Sequence, residues 1–326
     1  MLYIVTILTV LIVLARNKRR QQRICDSKRR LNGKTALVTG GTAGMGLEIA
    51  TDLAARGARV IVACPFLEEG NQAEKTIIST TGNENVKFIL LDLSSFKSVR
   101  QFAAIIKSES RLDILVNNAG IGNSTEALTA DGMNFIMQVN YYGHFLLTIL
   151  LLPLMKKSGS PADPARIINT TSMLHHFGVY NLTKEQTGKH NFLRRNRFYA
   201  TSKLCTALFS RELTRTLDST KVVANTVDPG IVGTGIFYSL GGVAGFLAKV
   251  LFLSLFSSPW EGAQTAIHLA VDEEAGKVSG KLFRNCEIAG NSSAISSNQT
   301  AKQLWDDSVK MVKLSDTEMI EWLAVA

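Results

Sequence analysis

The chain has little cysteine, proline or charge for its length. Four cysteines among 326 residues (Cys25, Cys64, Cys205 and Cys286) stand far apart without a CxxC pair. That spacing indicates neither a zinc site nor a disulfide framework, and free thiols in a reducing compartment are the simpler reading. Six prolines and 25 glycines exclude a collagen-like or low-complexity chain. Charged residues make up 19% against 46% hydrophobic, which excludes intrinsic disorder and leaves apolar material for a large core. The length suits one α/β domain of about 250–300 residues with short extensions, or two small domains.

Acidic residues are fewer than basic ones, 27 against 36, for a net charge of +9. The excess is local. Residues 16–30 hold eight basic side chains against Asp26, which accounts for seven of the nine net charges. The remainder is nearly neutral and carries no basic stripe of the kind nucleic acid requires, so no nucleic-acid partner is expected.

Charge is absent from residues 1–15, MLYIVTILTVLIVLA. As a helix this run spans about 22 Å, short of the ~30 Å hydrocarbon core. Tyr3, the threonines and a snorkelling Arg16 extend its reach, and the endoplasmic reticulum bilayer is thinner than average. The basic cluster on its C-terminal flank puts the following domain in the cytosol. No basic region precedes the run and no small-residue cleavage site follows, which argues against a signal peptide; an interfacial helix is the other alternative. The expected organisation is a transmembrane anchor at 1–15, a basic juxtamembrane linker at 16–33 and one domain over 34–326. Five Asn-x-Ser/Thr sequons, at Asn123, Asn169, Asn181, Asn291 and Asn298, read as chance matches in a cytosolic domain and would matter in a lumenal one.

From residue 34 the pattern alternates. Apolar runs at 35–39, 58–63, 86–91, 112–116, 166–171, 221–227 and near 280–284 read as buried parallel strands. Helical patterns fall at about 45–56, 68–80, 95–108, 130–156, 199–217 and 259–272. This is the order of an α/β doubly wound parallel sheet, a Rossmann fold, in a single domain. Residues 173–198 look like a polar insertion. Residues 231–258 are apolar and glycine-rich with Lys249 as sole charge, and read as a lid over a lipophilic substrate, with a second membrane span as the alternative.

After the first strand comes Thr39-Gly40-Gly41-Thr42-Ala43-Gly44-Met45-Gly46. In a strand–turn–helix context such glycines permit a tight turn and close approach of a pyrophosphate to the helix N-terminus, which predicts dinucleotide binding. The second strand ends Ala63-Cys64-Pro65, with no carboxylate before Glu68 and Glu69. The cofactor reading therefore leans to NADP(H) over NAD(H). Tyr199 and Lys203 lie four apart on one helix face. An ammonium there favours the phenolate and lowers the Tyr199 pKa toward useful acid–base range. Ser172, ending a central strand, can hold a carbonyl oxygen, and Asn140 can support Lys203 in a proton relay. Tyr180 and Lys184 form a second such pair, without a following helical pattern. His175 and His176 lack a carboxylate or cysteine at ligand spacing and read as loop residues rather than metal ligands.

The TGxxxGxG turn, Asp92, Asn117-Asn118-Ala119-Gly120, Asn140, Ser172, Tyr199 with Lys203, and Pro229-Gly230 occur in the order of the short-chain dehydrogenases/reductases, which the chain resembles over about 34–284. The resemblance implies Asn140, Ser172, Tyr199 and Lys203 as catalytic residues. It implies a cofactor set of Gly40, Thr42, Gly44, Met45, Gly46, Asp92, Leu93, Asn118, Ala119, Gly120, Tyr199, Lys203, Pro229, Gly230 and Val232. In it Asp92 contacts the adenine, Asn118 sits on the central strand, and Pro229-Gly230 flank the nicotinamide. VNYYGHFLLT at 139–148 and VDPGIVGTGIF at 227–237 make it most similar to the retinol dehydrogenase-like microsomal branch, and similar also to the X-linked dehydrogenase/reductase and its polyprenol-oxidising relatives. That branch usually has Arg after the Ala-Cys of the second strand, where it helps hold the NADP phosphate; Pro65 stands there in this chain. The expectation is an NAD(P)-dependent enzyme of the endoplasmic reticulum membrane that interconverts a lipophilic alcohol and its carbonyl. Retinol and retinal lead, with a polyprenol, sterol or other lipid as alternative. A homodimer pairing through the Tyr199 helix is implied as well. A cofactor-binding scaffold without catalysis would lack one of the proton-handling residues, and all four are present.

Overall fold

Strands form where short apolar runs can be buried on both faces. The computed structural model describes residues 22–122, 124, 127–180, 192–217, 221–230, 232, 257–290 and 293–323. The expected anchor, and the expected lid apart from Val232, Ser257 and Ser258, lie outside them. β1 (Thr35–Thr39), β2 (Arg59–Cys64), β3 (Val86–Leu90), β4 (Ile114–Asn117), β5 (Ala165–Thr170), β6 (Val222–Val227), β7 (Leu282–Arg284) and β8 (Glu287–Ile288) make one sheet in the order 3-2-1-4-5-6-7-8. The first seven pair in parallel, as expected. The eighth corrects the all-parallel expectation: β8 pairs antiparallel with β7. Its two-residue turn, Asn285-Cys286, has φ of 54° and 59°, the geometry of a type I′ hairpin.

Alternation along each strand feeds two cores. Ala36 and Val38 of β1 face one, with α1 (Gly44–Ala55), α2 (Leu67–Thr81) and α6 (Pro259–Val271). Leu37 faces the other, with α3 (Phe96–Lys107), α4 (Phe135–Ser158) and α5 (Phe192–Thr216). Alternation with both faces apolar is what a sheet covered by helices on both sides requires. α4 is long and apolar enough to cross a membrane, but 94% of its apolar window is buried inside the domain, so it is a core helix. It contains a π-helical turn at Gln138–Tyr142.

Helices beyond the last predicted strand complete the second layer: α7 (Ser293–Ser296), α8 (Asn298–Met311) and α9 (Asp316–Leu323). Trp305 of α8 meets Phe145 edge-on at 5.3 Å and stacks on Phe209 at 5.9 Å. At the other end, the described part of the linker lies along the domain. Gln22 Nε2 donates to the Glu261 carbonyl at 2.9 Å, Arg56 holds the carbonyls of Ser27 and Arg29, and Arg29 pairs with Asp163.

Candidate active site

β1 and β4 are neighbours whose connections leave in opposite directions, and ligands of doubly wound sheets bind outside the strand ends at this switch point. A cavity of about 610 Å³ opens there, within the range of small-molecule sites. Gly40, Thr42, Gly44, Met45 and Gly46 line it from the turn after β1. Asp92 and Leu93 line it from the exit of β3, Asn118, Ala119 and Gly120 from the exit of β4, and Val232 from one side. α1 begins without a side-chain cap and without an acidic residue in its first turn, which leaves its first N–H groups for an anion. A Cβ at Gly46 would stand 2.0 Å from the Gly40 carbonyl and 2.6 Å from Asn118 Nδ2, so only glycine allows the helix this close.

Asn118 lies one residue past β4 rather than on it, which corrects its expected placement. Its amide donates to the Thr39 carbonyl at 3.1 Å and shapes the turn, while its Oδ1 is buried without a partner beside the cavity. An acceptor left open there, an uncapped helix end and a glycine cradle fit a nicotinamide dinucleotide. Thr39 ties the same walls together. Its hydroxyl accepts from Asn118 N at 3.0 Å and Ala119 N at 3.1 Å and meets His144 Nε2 at 2.9 Å. His144 Nδ1 lies 3.1 Å from the Asn140 carbonyl. A carbonyl can only accept, so Nδ1 carries the proton and Nε2 accepts from Thr39. Burial pushes the His144 pKa down to about 4, which keeps the ring neutral. The sequence patterns contain Thr39 and His144 but give neither a role, which is fixed by contact across the sheet.

Asn140 sits in the π-turn of α4. Its Oδ1 accepts from Ile121 N at 2.8 Å, and its Nδ2 donates to the Ile121 carbonyl and to Ser202 Oγ, both at 3.0 Å. The side chain thus pairs with Ile121 as a neighbouring strand would and fixes the loop after β4. Lys203 is buried and donates from Nζ to the Thr170 carbonyl at 3.0 Å. A Cβ on Gly120 would lie 3.2 Å from that Nζ and 3.4 Å from Asn140 Oδ1; the missing side chain leaves room for both groups beside the cavity wall.

Ser172 neighbours the Tyr199 hydroxyl and acts to lower its pKa, and the Tyr199 ring centroid is 5.7 Å from Lys203 Nζ. The helix carrying them starts at Phe192 rather than near 199, so Tyr199 stands in its third turn. The expected lowering of the Tyr199 pKa is not found. Burial raises it, Ser172 opposes that, and buried Asp228 adds to the rise. Burial also lowers the Lys203 pKa to about 8. Ser172 caps a short turn at Met173–Phe177, and its carbonyl meets His175 Nδ1 at 2.7 Å. Pro229 and Gly230 follow Asp228, whose carboxylate takes Gly230 N at 2.9 Å and Arg284 at 2.5 Å. Neither they nor Ser172, Tyr199 and Lys203 line the cavity itself. The His175 and His176 rings lie 4.1 Å apart, tilted by 31°, and Tyr180 hydrogen-bonds Asp307 on α8, a structural link; Lys184 lies outside the described residues.

The short chain dehydrogenase family profile matches residues 34–241. Human retinol dehydrogenase 11 is 38% identical over 294 residues, 89% of this chain and 89% of its own length. Mouse retinol dehydrogenase 13 is 38% identical over 296 residues, 89% and 87%. Bovine dehydrogenase/reductase SDR family member 13 is 38% identical over 301 residues, 91% and 78%. Among solved structures, an uncharacterized protein from Mycobacterium paratuberculosis superposes with a TM-score of 0.70 at 28% identity, covering 90% of this chain and 98% of that one. The Pseudomonas aeruginosa RhlG/NADP active-site complex gives 0.62 at 30% identity, covering 78% and 95%. A profile that spans most of the domain, and relatives alike along nearly its whole length, agree with the crevice and the side chains around it: the chain belongs to the short-chain dehydrogenase/reductase family, enzymes that use NAD(P) to interconvert alcohols and carbonyls.

Proposed function

We propose that the protein is a membrane-anchored oxidoreductase that interconverts a lipophilic alcohol and its aldehyde or ketone, with retinol and retinal as the leading pair. The observation that carries the reading is the neighbouring Ser172 and Tyr199 with Lys203 beside the Tyr199 ring and against Gly120 of the dinucleotide cavity wall. The retinol dehydrogenases among its relatives support the substrate class. A polyprenol, sterol or other lipid carbonyl is the alternative.

Gly40, Thr42, Gly44, Met45 and Gly46 would hold the dinucleotide, which when bound would supply or accept the hydride of the reaction. Ser172 Oγ holds the substrate oxygen. In reduction, Tyr199 Oη donates its proton to that oxygen as the hydride arrives on carbon; in oxidation it receives the hydroxyl proton. Burial keeps Tyr199 protonated, which suits it to the acid's role in reduction. Lys203, with a pKa near 8, keeps an ammonium at neutral pH to stabilise the phenolate left behind. Asn140 fixes the loop against which that ammonium rests.

The uncharged run at 1–15 and the basic stretch behind it support an anchor in the endoplasmic reticulum membrane with the catalytic domain in the cytosol. Of the described sequons, Asn169 is buried in β5 and bonded to Asn117 and Ser210, while Asn298 is exposed. Unchanged gel mobility after glycosidase treatment is the expected result; a shift indicates a lumenal domain. For the cofactor, the sequence's lean to NADP(H) rests on the missing carboxylate at the end of β2. The reaction is tested with membranes carrying the full chain, assayed for retinal reduction with NADPH and NADH in parallel. No turnover of retinal by protein that binds cofactor moves polyprenols and sterols to first place.

A further inference from the structure

Among the described residues that line it, the cofactor cavity carries two carboxylates and no cation. Its wall beyond β2 is built from Cys64, Pro65, Phe66 and Glu69. In folds of this kind the adenosine ribose lies at the end of the second strand. Of the two carboxylates, Asp92 already accepts from Ser94 N and Ser94 Oγ. Among the described residues that line the cavity there is no lysine, arginine or histidine.

In the sequence, Glu69 stands too far past the strand to count as its terminal carboxylate. The structure brings it back. β2 runs to Cys64, and Cys64 Sγ meets both Phe66 N at 3.4 Å and the Phe66 carbonyl at 3.2 Å. The connection is thereby folded tightly enough for α2 to start at Leu67, and Glu69 falls in its first turn, on the cavity wall.

We infer that Glu69 makes the protein selective for NAD(H): it accepts a hydrogen bond from the ribose 2′-hydroxyl and repels the 2′-phosphate of NADP(H). The inference rests on the dinucleotide reading of the cavity and reverses the sequence's lean. A phosphate monoester carries roughly −1.5 to −2 charge at pH 7. Here it would meet a carboxylate with no cation on the described wall to offset it.

The test is equilibrium binding by the full chain in detergent. NADH and NADPH are followed by nicotinamide fluorescence, and AMP and adenosine 2′,5′-bisphosphate by competition. NADH is expected to bind about tenfold or more tighter than NADPH, and AMP to compete better than the bisphosphate. Glu69→Gln is expected to narrow the NADH/NADPH gap by raising NADPH affinity, and Pro65→Arg with Glu69→Gln to invert it. Both positions are exposed, so the variants should melt with the wild type. NADPH binding as tightly as NADH overturns the inference, as does an unchanged ratio in Glu69→Gln. Binding of neither, by folded protein, removes the dinucleotide reading itself.

Discussion

His144 shows what burial does to a single titratable group near the site. It bridges Thr39 and the Asn140 carbonyl as a neutral ring, and its pKa falls to about 4 from the usual 6.5. Between those values the unfolded chain binds a proton that the folded chain refuses. The stability from this group is full above about pH 6.5 and is lost as pH falls toward 4, by up to about 3 kcal/mol. Denaturant midpoints measured across that window should drop for the wild type. His144→Phe should give a shallower slope, whatever its stability at pH 7; equal slopes would contradict the account. Tyr199, Lys203, Ser172 and the glycine turn were legible because each belongs to a short local pattern. The Thr39–His144 bond was not, since its partners are far apart in the chain and neither residue type announces a role.

At the scale of elements, strands were legible wherever both faces are apolar, as in Ala36-Leu37-Val38. Helix ends were harder to read. α5 begins seven residues earlier than its pattern suggested, because Phe192, Leu193 and the arginines that follow form first turns left largely in solvent. β8 has two residues and a turn of Asn285-Cys286, without the glycine that marks such hairpins. The π-turn of α4 has no sequence signature, yet it carries Asn140. Asn140→Leu strips hydrogen bonds from Ile121 N–H, its carbonyl and Ser202. The loss should be about 1–3 kcal/mol for each group left buried and unpaired. A lower melting temperature with weakened dinucleotide binding is the expected result; unchanged dinucleotide affinity would separate Asn140 from the cavity.

At the scale of the molecule, the sheet is closed on one side by helices that the sequence reading left out. α8 buries Ala301, Leu304, Trp305 and Ser308, a narrow stripe among charged residues. Its anchor is Trp305, packed on Phe145, Phe209 and Trp322. Trp305→Ala should cost about 3–5 kcal/mol, visible as a lower denaturant midpoint, whereas a change under about 1 kcal/mol would mean that α8 is dispensable. The two layers hold the sheet, the sheet ends hold the cavity, and Tyr199 with Ser172 and Lys203 stands beside it. The central claim is that Tyr199 moves the proton. Its most direct measurement is turnover of retinal by Tyr199→Phe with the cofactor preferred by the wild type, alongside dinucleotide binding by the same preparation. The account predicts that binding is retained while turnover falls about 10²–10⁴-fold, the usual contribution of a general acid. Turnover within a few-fold of the wild type would contradict it.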